Sequence, residues 1–115
     1  MERGGWVYIL TNQYNRVLYT GVTADLKSRI FQHKSKLDPS SFTAKYNANK
    51  LVYFEFFSTI TEAIEEEKKI KGGSRASKIK RIESLNKQWV ELYSEDMDEE
   101  WDCFNFEYKI CAKTH

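Results

Sequence analysis

The sequence predicts an α+β domain with a β-hairpin near the N-terminus, a third strand in the middle of the chain, and three helices. Three observations favour this class. Two segments rich in β-branched and aromatic residues, 7–10 and 17–21, are separated by a polar stretch. A third segment, residues 51–57, has the same strand-like composition. Apolar residues recur at helical spacing between the second and third segments and after the third.

Each strand of the predicted hairpin carries a central tyrosine. We place the loop at residues 12–15, so that Thr11 faces Arg16. Antiparallel pairing then puts Tyr8 directly opposite Tyr19, with their Cβ atoms about 5 Å apart. Cross-strand aromatic packing is the ordinary explanation of such a pair, and a catalytic role is the alternative.

The first helix follows the hairpin. Thr23 is its predicted N-cap, and Asp25 lies in the first turn, where an acid stabilises the positive helix end. Its apolar row consists of Leu26, Ile30 and Leu37. Residues 38–41 end this helix, and a polar connection through residues 45–47 leads to the third strand.

The second helix has an acid in its apolar row. Ser58 and Thr59 offer N-caps, and the glycines at 72–73 end the helix. The apolar members of the row are Ile60, Ala63, Ile64 and Ile70. Glu67 occupies a position of this row that calls for an apolar residue. The other acids, Glu62, Glu65 and Glu66, fall on the solvent-facing side.

A buried Glu67 needs a cation, because an unpaired buried carboxylate costs several kcal/mol. Arg29 and Mg²⁺ are the candidates, and a surface ion pair with Lys71 at i,i+4 is the alternative. On the first helix, Arg29 and His33 are four residues apart and share one face, at the edge of the apolar stripe beside Ile30. They can reach a shared ligand; the alternative is a solvated face with a partly buried imidazole.

The third helix begins at Ser74 or Ser77. Its buried stripe is Ile79, Ile82 and Leu85. After Asn86, Trp89 and Leu92 are expected to continue the packing.

Charge is divided unevenly along the chain. Residues 1–94 hold 16 Lys and Arg against 10 Asp and Glu, a net charge of +6, whereas residues 95–115 hold 2 against 7, a net charge of −5. A cationic body suits a polyanion such as nucleic acid. The strongest basic run has seven cations and no acid: Lys68, Lys69, Lys71, Arg75, Lys78, Lys80 and Arg81. The alternative is a merely solvated helix face.

Two cysteines, Cys103 and Cys111, are the full complement. An extended strand would separate them by about 26 Å, so we expect free thiols and a cytoplasmic protein rather than a disulfide or a zinc site. The longest apolar run, residues 51–57, is interrupted by Glu55, and residues 1–5 are too polar for a signal peptide. We therefore expect no membrane segment.

Taken in order, these residues resemble the GIY-YIG nuclease superfamily, and most closely its small single-domain bacterial members, which are related to the N-terminal nuclease domain of the bacterial excision-repair endonuclease. The matching positions are Tyr8, Tyr19 with Gly21, Arg29 with His33, Glu67 and Asn86. This sequence has Val7-Tyr8-Ile9 in place of the family's Gly-Ile-Tyr motif and Tyr19-Thr20-Gly21 in place of its Tyr-Ile-Gly motif. The tyrosine of each motif is present. The resemblance covers about residues 5–93 and suggests a nuclease-like domain over 1–93 with an extension over 94–115.

The resemblance implies a three-stranded antiparallel sheet flanked by helices and an endonuclease acting on DNA. Glu67 would hold one divalent metal ion, Mg²⁺ or Mn²⁺, and Tyr8 would accept the proton of the attacking water, its acidity raised by His33 or the metal. Arg29 would grip the scissile phosphate, and Tyr19 would orient water or phosphate. Asn86 would hold the active-site helix or a phosphate oxygen.

The candidate DNA-binding residues are Lys45, Tyr46, Lys68, Lys71, Arg75, Lys78 and Arg81. The first two belong to residues 42–47, a further stretch that matches the family. DNA repair, recombination or processing is the expected setting. The alternative function is a nucleic-acid-binding or protein-interaction module that keeps the fold but cuts poorly or not at all.

The C-terminal extension is acidic and aromatic, and the resemblance says nothing about it. Its alternating apolar residues are Trp101, Phe104, Phe106, Tyr108 and Ile110. Such a pattern predicts an added edge strand, which could cap the sheet or join two copies of the chain as a homodimer.

Overall fold

Three strands form one antiparallel sheet in the computed structural model, which describes residues 4–36 and 38–94. The strands are β1 (Gly5–Thr11), β2 (Leu18–Thr23) and β3 (Lys50–Phe57), and β1 lies in the middle. The helices are α1 (Leu26–Ser35), α2 (Phe42–Lys45), α3 (Ile60–Gly72) and α4 (Arg75–Leu85). The predicted α+β fold, a three-stranded antiparallel sheet with helices, is confirmed.

The two halves of the hairpin pair in a register different from the predicted one. Tyr8 lies opposite Gly21, and Tyr19 lies opposite Leu10. The predicted direct pairing of the two tyrosines is therefore wrong by two positions. Because side chains alternate with a period of two, an even shift leaves both tyrosines on the same face. Their ring centroids are 6.3 Å apart.

The loop explains the shift. Thr11 pairs with Leu18, so six residues rather than four connect the strands. The Asn15 amide donates to the Asn12 carbonyl at 2.9 Å, and the Arg16 amide donates to Asn12 Oδ1 at 2.8 Å. Asn15 also adopts a left-handed conformation with φ of 57°, which asparagine tolerates better than most residues. This turn lengthens the loop by two residues.

Apolar side chains lie on both faces of the sheet, which explains why every residue of β1 is buried. One face packs with α1 through Trp6, Tyr8, Leu10, Leu26 and Ile30. The other face packs with α3 and α4 through Val7, Ile9, Ala63, Ile70 and Ile82.

Helix boundaries largely follow the predicted caps. Thr59 caps α3 and Ser74 caps α4, as expected. The N-cap of α1 is Asp25, whose carboxylate accepts the Ser28 amide at 3.2 Å. The prediction of Thr23 was wrong, because Thr23 belongs to β2 and its hydroxyl accepts the Asp25 amide instead.

Two further features differ from the predicted pattern. Ile64 is 36% exposed and does not belong to the buried row of α3. The predicted polar connection before β3 contains the short helix α2, whose N-cap Ser41 accepts the Ala44 amide at 3.3 Å. A helix of four residues is too short to show a period in the sequence.

The segment after α4 returns to the sheet. The Leu92 amide donates to the Leu51 carbonyl at 2.8 Å, and the Leu51 amide donates to Glu91 Oε2 at 2.7 Å. Leu92 is buried, as predicted. Expectations for Leu37, for both cysteines and for the extension over 95–115, including the homodimer, lie outside the described residues. Within residues 4–36 and 38–94, the helices are too short and too polar to cross a bilayer.

Candidate active site

Tyr8 is the buried centre of the site. It lies in the middle of β1 and is 1% exposed. Its ring passes across Gly21 of β2, where a Cβ atom would lie only 2.4 Å from the Tyr8 hydroxyl oxygen. Gly21 therefore lacks a side chain because the tyrosine ring occupies that space.

His33 binds the Tyr8 hydroxyl. The apolar row of α1 places Leu26, Ile30 and His33 on the buried face of the helix, toward the sheet. Tyr8 Oη lies 3.0 Å from His33 Nε2, and His33 Nδ1 lies 2.9 Å from Thr43 Oγ1. Both nitrogens of the imidazole thus have buried hydroxyl partners.

Burial keeps this pair neutral. Loss of solvent, followed by the positive charge of Arg29, lowers the pKa of His33 to about 4. Loss of solvent, followed by the neighbouring Tyr19, raises the pKa of the Tyr8 phenol above its ordinary value. We expected His33 to lower the pKa of Tyr8, but the pKa of this phenol is raised overall. Among its neighbours, Arg29 is the residue that lowers it.

The pKa of His33 predicts a specific dependence of stability on pH. Below pH about 6.5 the unfolded chain protonates this imidazole, whereas the folded chain does so only near pH 4. The unfolded state therefore binds more protons between these values, and the free energy of unfolding falls as the pH decreases from 6.5 to 4, by roughly 2 kcal/mol. Urea unfolding of the wild type and of His33→Asn across this range measures the effect. An equal pH slope in the two proteins would contradict it.

Arg29 and Tyr19 complete the aromatic side of the site. The Tyr19 ring lies 5.5 Å from the imidazole of His33. Burial alone would lower the pKa of Arg29, but interactions with the Tyr8 and Tyr19 phenols outweigh this and raise it. The guanidinium also donates to Gln32 Oε1 at 2.9 Å. The structure therefore brings Tyr8, Tyr19, Arg29 and His33 together.

Glu67 lies on α3, whose buried residues pack against the sheet face opposite Tyr8. Its side chain is only 14% exposed, which agrees with the predicted inward position. Its ion-pair partner is Lys71, at 3.3 Å, so the i,i+4 alternative is observed and the ion pair with Arg29 is not. The charge of Glu67 nevertheless raises the pKa of the Tyr8 phenol. Glu67 therefore interacts with Tyr8 electrostatically, while its direct contact is with Lys71.

The oxygen donors here suit a hard cation. No group of three or more His, Cys, Asp or Glu side chains that could hold a metal occurs within the described ranges. Mg²⁺ does not need one, since it commonly binds one or two carboxylates, water and substrate phosphate. Glu67 can supply the carboxylate of such a site, whereas the arrangement does not suit a structural zinc ion.

The Asn86 side chain forms hydrogen bonds to the backbone and has no contact with Tyr8 or Arg29 among the bonds described for it. It forms the C-cap of α4, and its Nδ2 donates to the carbonyls of Val52 at 3.1 Å and Val90 at 2.8 Å. Its Oδ1 accepts the Val90 amide at 3.0 Å. These bonds hold α4 against β3, so the structure fits the helix-holding role of Asn86 and leaves no free amide for a phosphate.

The basic candidates divide into paired and accessible groups. Arg81 lies 2.8 Å from Glu66 and 3.6 Å from Glu55, and also donates to the Tyr53 hydroxyl, so its charge is largely used. The prediction that Glu66 falls on the solvent-facing side is wrong, because its side chain is only 19% exposed and pairs with Arg81. Lys71 pairs with Glu67. The exposed or half-exposed candidates are Lys45, Tyr46, Lys68, Arg75 and Lys78.

A cleft of about 380 Å³ adjoins the site. Its lining includes Tyr19, Arg29, His33, Ser41, Phe42 and Thr43. Phe42 stacks on Tyr19 with ring centroids 6.1 Å apart and is itself exposed. The cleft thus combines the Arg29 guanidinium with an aromatic wall, an arrangement that suits a phosphate bearing a base.

Sequence reasoning missed Thr43, Gln32 and the steric role of Gly21. Thr43 reaches His33 from ten residues away through α2, and no periodic pattern reports such a contact. Gln32 lies three residues after Arg29 on α1, a spacing that could have indicated their hydrogen bond.

Comparison with known proteins shows which family this chain is similar to. The model of the GIY-YIG catalytic domain matches residues 4–82. A UPF0213 protein from Staphylococcus haemolyticus is 38% identical over 78 residues, which cover 68% of this chain and 93% of that protein. One from Syntrophus aciditrophicus is 32% identical over 77 residues, covering 67% of this chain and 87% of that protein.

A solved structure shows the same fold. The solution NMR structure of a UPF0213 protein from Bacillus halodurans is 25% identical, with a TM-score of 0.50, and the match covers 83% of this chain and 99% of that chain. The family model spans more than half of the present sequence and includes every described strand and the helices that carry Arg29, His33 and Glu67. The chain therefore belongs to the GIY-YIG family.

Proposed function

We propose that this protein is a metal-dependent endonuclease that hydrolyses DNA phosphodiester bonds in repair, recombination or processing. The observation that carries the proposal is the buried Tyr8 hydroxyl, bound to His33 Nε2 at 3.0 Å beside a guanidinium that interacts with both phenols. A proton acceptor and a phosphate-binding cation at one place are the groups that phosphodiester hydrolysis requires.

Tyr8 accepts the proton of the attacking water. A neutral phenol is a poor base, but its oxygen can accept this proton while its own proton passes to the lone pair of His33. Arg29 binds the scissile phosphate and stabilises the charge that develops on it, with two N–H donors in a planar fork. Tyr19 orients water or phosphate through its hydroxyl.

Glu67 would hold Mg²⁺ or Mn²⁺. When bound, such an ion neutralises charge on the phosphate and stabilises the leaving oxygen. Lys71 is about half exposed, so its ammonium group can move into solvent when a divalent cation takes its place beside Glu67. The accessible cations Lys68, Arg75 and Lys78 supply the sequence-independent attraction for the DNA backbone.

Nicking of supercoiled plasmid DNA with Mg²⁺ or Mn²⁺ tests the metal requirement. Glu67→Gln removes a charged ligand without changing size, so we expect cleavage to fall roughly 100-fold. Glu65→Gln, an exposed position on the same helix, is the matched control and should cleave like the wild type. Cleavage that continues in EDTA, or at equal rates in both variants, would count against a metal at Glu67.

The second candidate is a nucleic-acid-binding module that cuts poorly. The ion pair between Lys71 and Glu67 favours it, because it already neutralises the proposed metal ligand. DNA binding by the wild type, measured by fluorescence anisotropy, distinguishes the two functions. Binding without nicking at any divalent metal concentration would support the module over the enzyme.

A further inference from the structure

We infer that Thr43 is a positioning residue for the proposed hydrolysis, because its hydroxyl continues a hydrogen-bonded chain that carries the proton of the attacking water out of the buried site. The inference rests on the proposed nuclease function and adds a route for the proton to it. It concerns a residue in α2, outside the strands and helices that hold the other site residues.

The chain has three links. Tyr8 Oη lies 3.0 Å from His33 Nε2, His33 Nδ1 lies 2.9 Å from Thr43 Oγ1, and Thr43 Oγ1 lies 3.3 Å from Ser41 Oγ. The first three residues are buried, whereas Ser41 is partly exposed and lines the cleft. The links therefore lead from the centre of the sheet to solvent.

Every link can run in either direction. Hydroxyl groups both donate and accept, and a neutral imidazole has one N–H and one lone pair. In one direction, Tyr8 donates to His33 Nε2, His33 Nδ1–H donates to Thr43, and Thr43 donates to Ser41. In the other direction all three donors and acceptors exchange roles. The imidazole is neutral in both.

Proton transfer converts the first direction into the second. The O–H bond of the attacking water breaks as its oxygen bonds to phosphorus, and the proton joins the Tyr8 oxygen. The P–O bond to the leaving nucleoside breaks, and the leaving oxygen takes a proton from solvent. The Tyr8 proton moves to Nε2 of His33, the Nδ1 proton moves to Thr43, and the Thr43 proton moves to Ser41. Ser41 releases its own proton to water in the cleft, so every atom keeps its valence.

Thr43 is needed because His33 resists a positive charge. The imidazole is buried beside the Arg29 guanidinium, and its pKa is lowered to about 4. It can therefore accept a proton at Nε2 only if Nδ1 releases one at the same time. Thr43 Oγ1 is the atom at hydrogen-bond distance from Nδ1. The short helix α2, capped by Ser41, holds this hydroxyl in place.

Thr43→Val tests the inference, because valine keeps the shape of threonine and removes the hydroxyl. We expect nicking to fall at least tenfold, and Thr43→Ser to recover it to within about threefold. Thr11→Val is the matched control: within the part of the chain that the structure describes, Thr11 Oγ1 is buried without a hydrogen-bond partner. Its nicking rate should equal that of the wild type.

Nitrogen NMR of His33 at pH 7 supplies a readout that does not require activity. In the wild type, Nδ1 has a hydroxyl partner that can accept its proton. In Thr43→Val that partner is lost, so the tautomer population should shift toward protonated Nε2, where Tyr8 Oη can accept. If Thr43→Val does not fold, Ser41→Gly removes the exit hydroxyl at little cost to the N-cap and should lower nicking severalfold.

The outcomes separate the two proposals. Equal nicking by the wild type and Thr43→Val, or by the wild type and Ser41→Gly when Thr43→Val does not fold, would overturn the proton route and leave the nuclease intact. An unchanged His33 tautomer in Thr43→Val would also overturn it. A wild type that nicks no DNA under any divalent metal would overturn the nuclease function, and the role of Thr43 with it.

Discussion

Tyr8→Phe is expected to lower the rate of DNA nicking by about 10²–10⁴-fold, the range for loss of a general base or acid. The substitution removes only the hydroxyl that bonds to His33 Nε2 and leaves the aromatic ring packed across Gly21. Single-turnover nicking with saturating protein measures the chemical step, since it separates cleavage from DNA binding.

Tyr19→Phe is the natural comparison. Tyr19 is less buried than Tyr8 and contacts His33 through its ring rather than through a hydrogen bond, so its hydroxyl should matter less. Thermal unfolding of both variants shows whether a lost rate reflects lost structure, since the unpaired imidazole in Tyr8→Phe is expected to cost about 1–2 kcal/mol. A folded Tyr8→Phe protein that cleaves as fast as the wild type would exclude Tyr8 as the proton acceptor.

Gly21→Ala is expected to destabilise the fold by about 2–3 kcal/mol and to disturb the site at the same time. The new Cβ atom would lie 2.4 Å from Tyr8 Oη, far inside contact distance, so either the ring or β2 must move. A displaced ring also loses its hydrogen bond to His33. Urea unfolding gives the loss of stability.

Gly72→Ala is the matched control for this steric effect. At Gly72, the last residue of α3, a Cβ atom meets nothing within 4 Å. Alanine there should leave stability unchanged or raise it by about 0.5–1 kcal/mol, because it restricts the unfolded chain. In a Tyr8→Leu background the cost of Gly21→Ala should shrink, since the smaller side chain leaves the space free. Equal costs in both backgrounds would contradict the proposed clash.

Much of the fold could be predicted because it depends on the spacing of apolar residues along strands and helices. Alternation along β1 and β2 placed Tyr8 and Tyr19 on one face, even though the loop was predicted two residues too short. The helical row of α3 placed Glu67 inward, between the buried residues Ala63 and Ile70. The caps Thr59 and Ser74 were recognised because a hydroxyl before an apolar row has a local function.

What could not be predicted depends on long-range geometry. Lys71, Arg29 and a metal ion were all open as partners of Glu67, and the choice of Lys71 depends on side-chain reach in the folded chain. Arg81 was counted among free cations because its partners, Glu55 and Glu66, lie on other elements. The bond between His33 and Thr43 requires α2 to fold back on α1, and only the tertiary structure reveals this.

The return of the chain to β3 also bears on where a working fragment could be cut. The family match ends at residue 82, but Glu91 and Leu92 occupy the backbone amide and carbonyl of Leu51. A polypeptide that ends at residue 82 would leave the Leu51 N–H and C=O groups of the edge strand β3 without these partners. Exposed backbone groups at a sheet edge promote strand pairing between molecules. A minimal fragment that stays monodisperse at high concentration should therefore retain the chain at least through Leu92.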